Sequence, residues 1–114
     1  MRKIKKPWGH EEIWAHTGKY LGKFLTILPG HRLSLQYHQE KEETVYVLKG
    51  ELIIWFSNDE KDKITYHEGA TYHVKPGVAH RFGAPAESKE PTVLVEVSTP
   101  ELGDVVRLAD DYNR

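Results

Sequence analysis

The stretch that decides the fold runs from Gly30 to Gly50, GHRLSLQYHQEKEETVYVLKG. Its first part alternates: Leu33, Leu35 and Tyr37 fall on one side of an extended strand, and Ser34, Gln36 and His38 on the other. Taken alone, the pattern describes a strand with an apolar core face and a wet face that carries Gln36 and His38. The second part changes the weighting. Glu43 shares strand parity with Val45 and Val47, so its carboxylate stands at the edge of an apolar surface. Burying an unpaired carboxylate is costly, so Glu43 must be exposed at the strand end, paired, or placed on a metal. VLKGELIIW then reads as a hairpin turned at Gly50, where a left-handed backbone is expected.

The same signals recur outward along the chain. Short runs rich in Val, Ile, Tyr and Leu return about every ten residues, each closed by a Gly, Pro, Asn or Asp signal, the spacing of an antiparallel sandwich or barrel. Strands are expected in EEIWAH, KFLTIL, LSLQYH, TVYVLK, ELIIWFS, KITYH, ATYHV, AHRFG, TVLVEVS and DVVRL. Turns fall at 28 to 31, 48 to 51, 57 to 63, 67 to 70, 75 to 78 and 83 to 91. The fold class is therefore all-β, in a single domain over residues 1–114. The closing LADDYNR is a surface turn rather than a helix. SNDEKDK is a solvated hairpin loop, and Trp8, Trp14 and Trp55 are packing anchors. LIIWF at 52 to 56 is too apolar for one buried face, which points to cover on both sides and to a homodimer contact.

Composition removes several function classes. The 16 basic and 17 acidic side chains nearly cancel, so no excess positive field is available to hold nucleic acid or an anionic membrane surface. There is no cysteine for disulfide or thiolate chemistry. No apolar run approaches the roughly 20 residues of a membrane span, and MRKIKKPWGHEE lacks the apolar stretch of a secretion signal. A cytoplasmic location is the expectation.

A second group of ligand-type residues lies in KPGVAHRF, where the Pro76-Gly77 turn delivers His80 at the start of a strand. Together, Gln36, His38, Glu43 and His80 offer two imidazoles and two oxygen donors. That set suits one divalent ion, zinc first, with manganese, iron, cobalt or nickel as alternatives.

These residues resemble the cupin superfamily, and more narrowly the mannose-6-phosphate isomerase domain of bifunctional type II isomerase/GDP-mannose pyrophosphorylase enzymes. The resemblance covers nearly the whole chain. KPWGHEEIW resembles that domain's opening motif, KFLTILPGHRLSLQYH its strand-turn-strand, PGVAHR its second histidine motif and LVEVSTPELGDVVRLADDYNR its closing pattern. Gly30, Gln36, His38, Glu43 and Gly50 fit the first cupin motif residue by residue, and His80 belongs to the second. The resemblance implies a double-stranded β-helix, a jelly-roll β-barrel, with Gln36, His38, Glu43 and His80 holding the ion inside. Leu33, Leu35 and Tyr37 would then lie outside the lumen. The chain departs from the family around the site: Glu40, Lys41, Thr44 and Val45 stand in place of His, Arg, His and Trp, and Gly83 and Ala84 follow the second histidine motif.

The implied activity is interconversion of mannose 6-phosphate and fructose 6-phosphate, a proton transfer between C1 and C2 through an enediol. Among the cations near the ligand strands, Lys23 and Arg81 are the candidates for the phosphate, ahead of Lys41. His31 and His73 are candidates for the base by residue type only, and the base is left unassigned. Two alternatives stay open: a cupin that binds a sugar or small polar ligand without turnover, and an iron-dependent oxygenase on His38, His80 and Glu43.

Overall fold

In the computed structural model the described residues are 1–113. Eleven strands form: β1 (Arg2–Lys6), β2 (Gly9–His16), β3 (Leu21–Ile27), β4 (Leu35–Tyr37), β5 (Glu43–Lys49), β6 (Leu52–Trp55), β7 (Lys63–Tyr66), β8 (Thr71–Val74), β9 (Arg81–Gly83), β10 (Thr92–Ser98) and β11 (Val106–Ala109). One layer is a six-stranded antiparallel sheet in the order β1-β2-β3-β10-β5-β8. The other consists of β7-β6-β9 and β11-β4, joined through the bridges Arg32 to Gly83 and Gln36 to His80. No helix of the described residues is long and apolar enough to cross a membrane.

Alternation builds the core between the layers. On β3, Leu25 and Ile27 face inward with Lys23; on β5, Val45 and Val47 do so with Glu43; on β10, Leu94 with Glu96. Val74 of β8 extends this wall, and Leu52 and Ile54 of β6 with Phe82 of β9 form the opposite one. The Gly50 turn has the expected left-handed backbone, at φ 77°.

The expected strands form, with shifted ends, and the structure corrects several details. RKIKK, with one apolar residue in five, pairs with β2 along its whole length as β1. Leu33 does not lie outside the lumen: regular pairing starts only at Leu35, and Leu33 packs against the core. LIIWF finds much of its cover within the chain. Leu52 and Ile54 point inward, while the ring of Trp55 on the other face lies 4.9 Å beneath the Arg32 guanidinium. Trp8 and Trp55 are buried anchors, but Trp14 is 43% exposed on the outer face of the six-stranded sheet. LADDYNR begins as the end of β11 and turns at 110 to 112; its last residue, Arg114, lies outside the described residues.

Candidate metal centre

The two ligand groups come together because β4 and β9 lie side by side in one layer while β5 crosses opposite them. Gln36 and His80 exchange both backbone hydrogen bonds, Gln36 N to His80 O at 3.0 Å and His80 N to Gln36 O at 2.9 Å. Glu43 opens β5 with its side chain inward, as its parity with Val45 requires.

The ring orientations are set from behind. His38 Nδ1 donates to the carbonyl of Asp104, and His80 Nδ1 donates to the carbonyl of Val78 at 3.0 Å. A carbonyl can only accept, so each ring carries its proton on Nδ1 and turns a bare Nε2 inward. Both Nε2 atoms converge on one oxygen: Glu43 Oε1 lies 3.6 Å from His38 Nε2 and 3.2 Å from His80 Nε2. The three donor atoms lie within 4.8 Å of one another, and all three residues are buried. Neither Nε2 has a hydrogen-bond partner among the described residues. Two buried lone pairs aimed at a carboxylate are unfavourable as they stand, and a divalent cation among them satisfies all three. The donor set therefore fits a metal ion.

Gln36 lines the same cavity, and its side-chain carbonyl accepts from the Ser34 hydroxyl at 2.7 Å. That bond fixes the amide orientation beside His38 on the shared strand face.

The charge arrangement behind Glu43 was not visible in the sequence. Lys41 is only 5% exposed, with Nζ 3.3 Å from Glu43 Oε2 and 2.9 Å from Glu96 Oε2. Burial opposes the lysine charge, but Glu96 and Glu43 outweigh it and raise its pKa above the ordinary value. Burial works to raise the pKa of Glu43, and the Lys41 charge 3.3 Å away works to lower it. Glu96, 3% exposed, is pushed up to about 6, first by its burial and then by the charge of Glu43. Lys41, ranked behind Lys23 and Arg81 as a phosphate cation, is thus the counter-charge of two buried carboxylates.

These groups open into a cavity of about 280 Å³. Trp8, Leu25, Leu33 and Phe82 give it apolar walls, and Lys23 reaches it as its strand parity indicated. Lys23 is not free there, because its ammonium lies 3.2 Å from Glu11. Arg81 does not line the cavity. It is 2% exposed on the other face of β9, where it donates to the carbonyls of Leu33 at 2.8 Å and Ala109 at 3.2 Å. With His80 and Phe82 inward, Arg81 between them must point outward. The histidines named for the base are elsewhere: His31 bonds Tyr112 at 2.7 Å, and His73 pairs with Glu42 outside the cavity.

A two-layered antiparallel barrel with two histidines and a glutamate converging inside defines the class of protein: the chain belongs to the cupin domain family, whose model matches residues 23–98. It is 34% identical over 116 positions to the xanthan biosynthesis protein XanB of Xanthomonas campestris pv. campestris (strain B100), covering 99% of this chain and 24% of that protein. It is 32% identical to the mannose-1-phosphate guanylyltransferase of Escherichia coli (strain K12), covering 99% of this chain and 23% of that protein. The chain thus spans about a quarter of the length of these relatives and corresponds to their C-terminal cupin part. Among solved structures, KdgF from Halomonas sp. has the same fold, with a TM-score of 0.76 at 15% identity over 91% of this chain and 92% of that one.

Proposed function

We propose that this cupin is a metal-dependent aldose–ketose isomerase of sugar phosphates, interconverting mannose 6-phosphate and fructose 6-phosphate. The observation that carries the reading is the convergence of two bare imidazole nitrogens on the Glu43 carboxylate, with His38 and Glu43 at the wall of a cavity that also holds unpaired cations. His38, Glu43, His80 and Gln36 hold the ion, with zinc as the first choice. When bound, the ion supplies Lewis acidity to the sugar oxygens beside the migrating proton. The chain's own residues do the rest. Apolar walls from Trp8, Leu33 and Phe82 exclude water, and the proton passes through a carboxylate on the cavity wall, where Glu11, Glu96 and Glu101 stand.

The sequence departures that favour binding without turnover lie off the cavity. Glu40, Thr44, Val45, Gly83 and Ala84 do not line it, and Lys41, which does, keeps the positive charge of the arginine it replaces. The homodimer reading moves with the exposed apolar side chains to the outer face of the six-stranded sheet, where Trp14, Tyr46 and Val97 lie.

The test is turnover. The purified chain is loaded with zinc, manganese, cobalt or iron in turn and assayed with mannose 6-phosphate and other sugar phosphates. Conversion to the ketose phosphate is expected with at least one metal; none with any of them overturns the reading.

A further inference from the structure

Among the described residues the cavity is lined by five cations, Arg2, Lys6, Lys23, Lys41 and Arg107, and by five carboxylates, Glu11, Glu43, Glu96, Glu101 and Asp104. Most are already engaged. Glu11 sits between Lys23 at 3.2 Å and Lys6 at 3.9 Å. Glu43 and Glu96 share Lys41. Asp104 accepts from the backbone N–H groups of Gln39, Glu40 and Lys41 at 2.8 to 3.1 Å. Two guanidiniums are left over: Arg2 and Arg107 have no carboxylate partner among the described residues.

Their placement is specific. β1 and β11 are edge strands of the two different layers, so the two guanidiniums reach one cavity from opposite walls. Arg107 is the direct cross-strand partner of Gln36, which puts both side chains on the same face, and both line the cavity. Arg2 shares its face with Ile4 and Lys6, which also line the cavity, while Lys3 and Lys5 alternate to the outside.

We infer that Arg2 and Arg107 together receive the phosphate of a phosphate monoester whose sugar lies over the His38, Glu43 and His80 set. This rests on the sugar-phosphate reading above and names the residues that read the phosphate. A divalent ion on Glu43 leaves two positive charges on the cavity beyond its carboxylates, which matches a phosphate monoester of about −1.5 to −2 at neutral pH. Guanidinium forks bind tetrahedral oxyanions through paired N–H donors, and two facing forks hold one without a protein carboxylate between them. Glu101, whose Oε2 is buried without a hydrogen bond, is placed to accept a sugar hydroxyl.

Isothermal titration of the metal-loaded chain with mannose 6-phosphate, mannose and inorganic phosphate tests this. Mannose 6-phosphate should bind more tightly than mannose. Arg2→Gln and Arg107→Gln should each weaken mannose 6-phosphate and inorganic phosphate by about tenfold or more, the loss of a charged hydrogen bond, with metal content and mannose binding unchanged. A Lys3→Gln, Lys5→Gln variant on the outer face should bind as wild type. Equal affinity of the wild type for mannose and mannose 6-phosphate, or wild-type affinity in the Arg2→Gln, Arg107→Gln double variant, overturns the inference. Phosphate-dependent binding without turnover overturns the isomerase reading alone; turnover with unchanged KM in the double variant overturns this inference alone.

Discussion

Lys41 Nζ lies 2.9 Å from Glu96 Oε2, an ion pair between a loop and a central strand that are 55 residues apart and both almost fully buried. The same ammonium touches Glu43, so one lysine neutralises two carboxylates behind the ligand set. Replacing it by Met leaves both carboxylates without their cation. Lys41→Met should destabilise the chain by about 3 kcal/mol, the cost of breaking a buried pair from one side. Urea unfolding measures this, and a midpoint equal to that of the wild type would show the pair to be energetically idle.

The metal set makes its own prediction. Because His38, Glu43 and His80 are already converged in the folded chain, an ion that binds them stabilises the native state by mass action. A chelator should lower the melting temperature of the metal-loaded wild type and leave that of a His38→Ala, His80→Ala variant unmoved. Metal analysis should find the double variant empty, and equal metal content in the two proteins would remove the site.

Gly9 starts β2 directly after the buried Trp8, with φ 151°, and a Cβ built there would stand 1.9 Å from the carbonyl oxygen of Thr26. That oxygen belongs to the backbone of the paired strand and cannot step aside. Gly9→Ala should therefore cost about 2 kcal/mol or more and lower the thermal midpoint, while Gly69→Ala, strained by its φ of 88° but in open space, should cost less. Equal losses in the two variants would mean that the close approach carries no weight.

Stability in acid should report on Asp111. Arg32 donates from Nε and Nη2 to its two carboxylate oxygens, and that fork holds the Asp111 pKa below the ordinary value. A depressed folded-state pKa contributes stability that is complete above the unfolded value of about 3.9 and fades as pH falls through the folded one. Asp111→Asn should thus be less stable than wild type at neutral pH, with the gap closing in the acid range below the ordinary carboxyl pKa. A gap that stays constant from neutral pH into acid would contradict this.

Much of the barrel was legible because its rule is local. Alternation put Glu43 beside Val45 and Val47, and Lys23 beside Leu25 and Ile27, on the inward faces where the structure has them. The same rule, applied to His80, would have turned Arg81 away from the cavity. What was hidden depended on distant pairing. Lys41 sits in HQEKEE and looks like one more surface charge until β10 pairs with β5 and brings Glu96 to it. β1 carries too few apolar residues to announce itself, and only its pairing with β2 shows that Arg2, Ile4 and Lys6 line the site.

The family model ends at Ser98, yet the carbonyl that orients His38, the carboxylate that gathers residues 39 to 41 and the guanidinium opposite Gln36 all come later, from Asp104 and Arg107. The last turn of chain is thus a buckle fastened across the ligand loop. A fragment trimmed to the shared barrel would keep every ligand and lose what aims them, so engineered minimal versions should carry their tail.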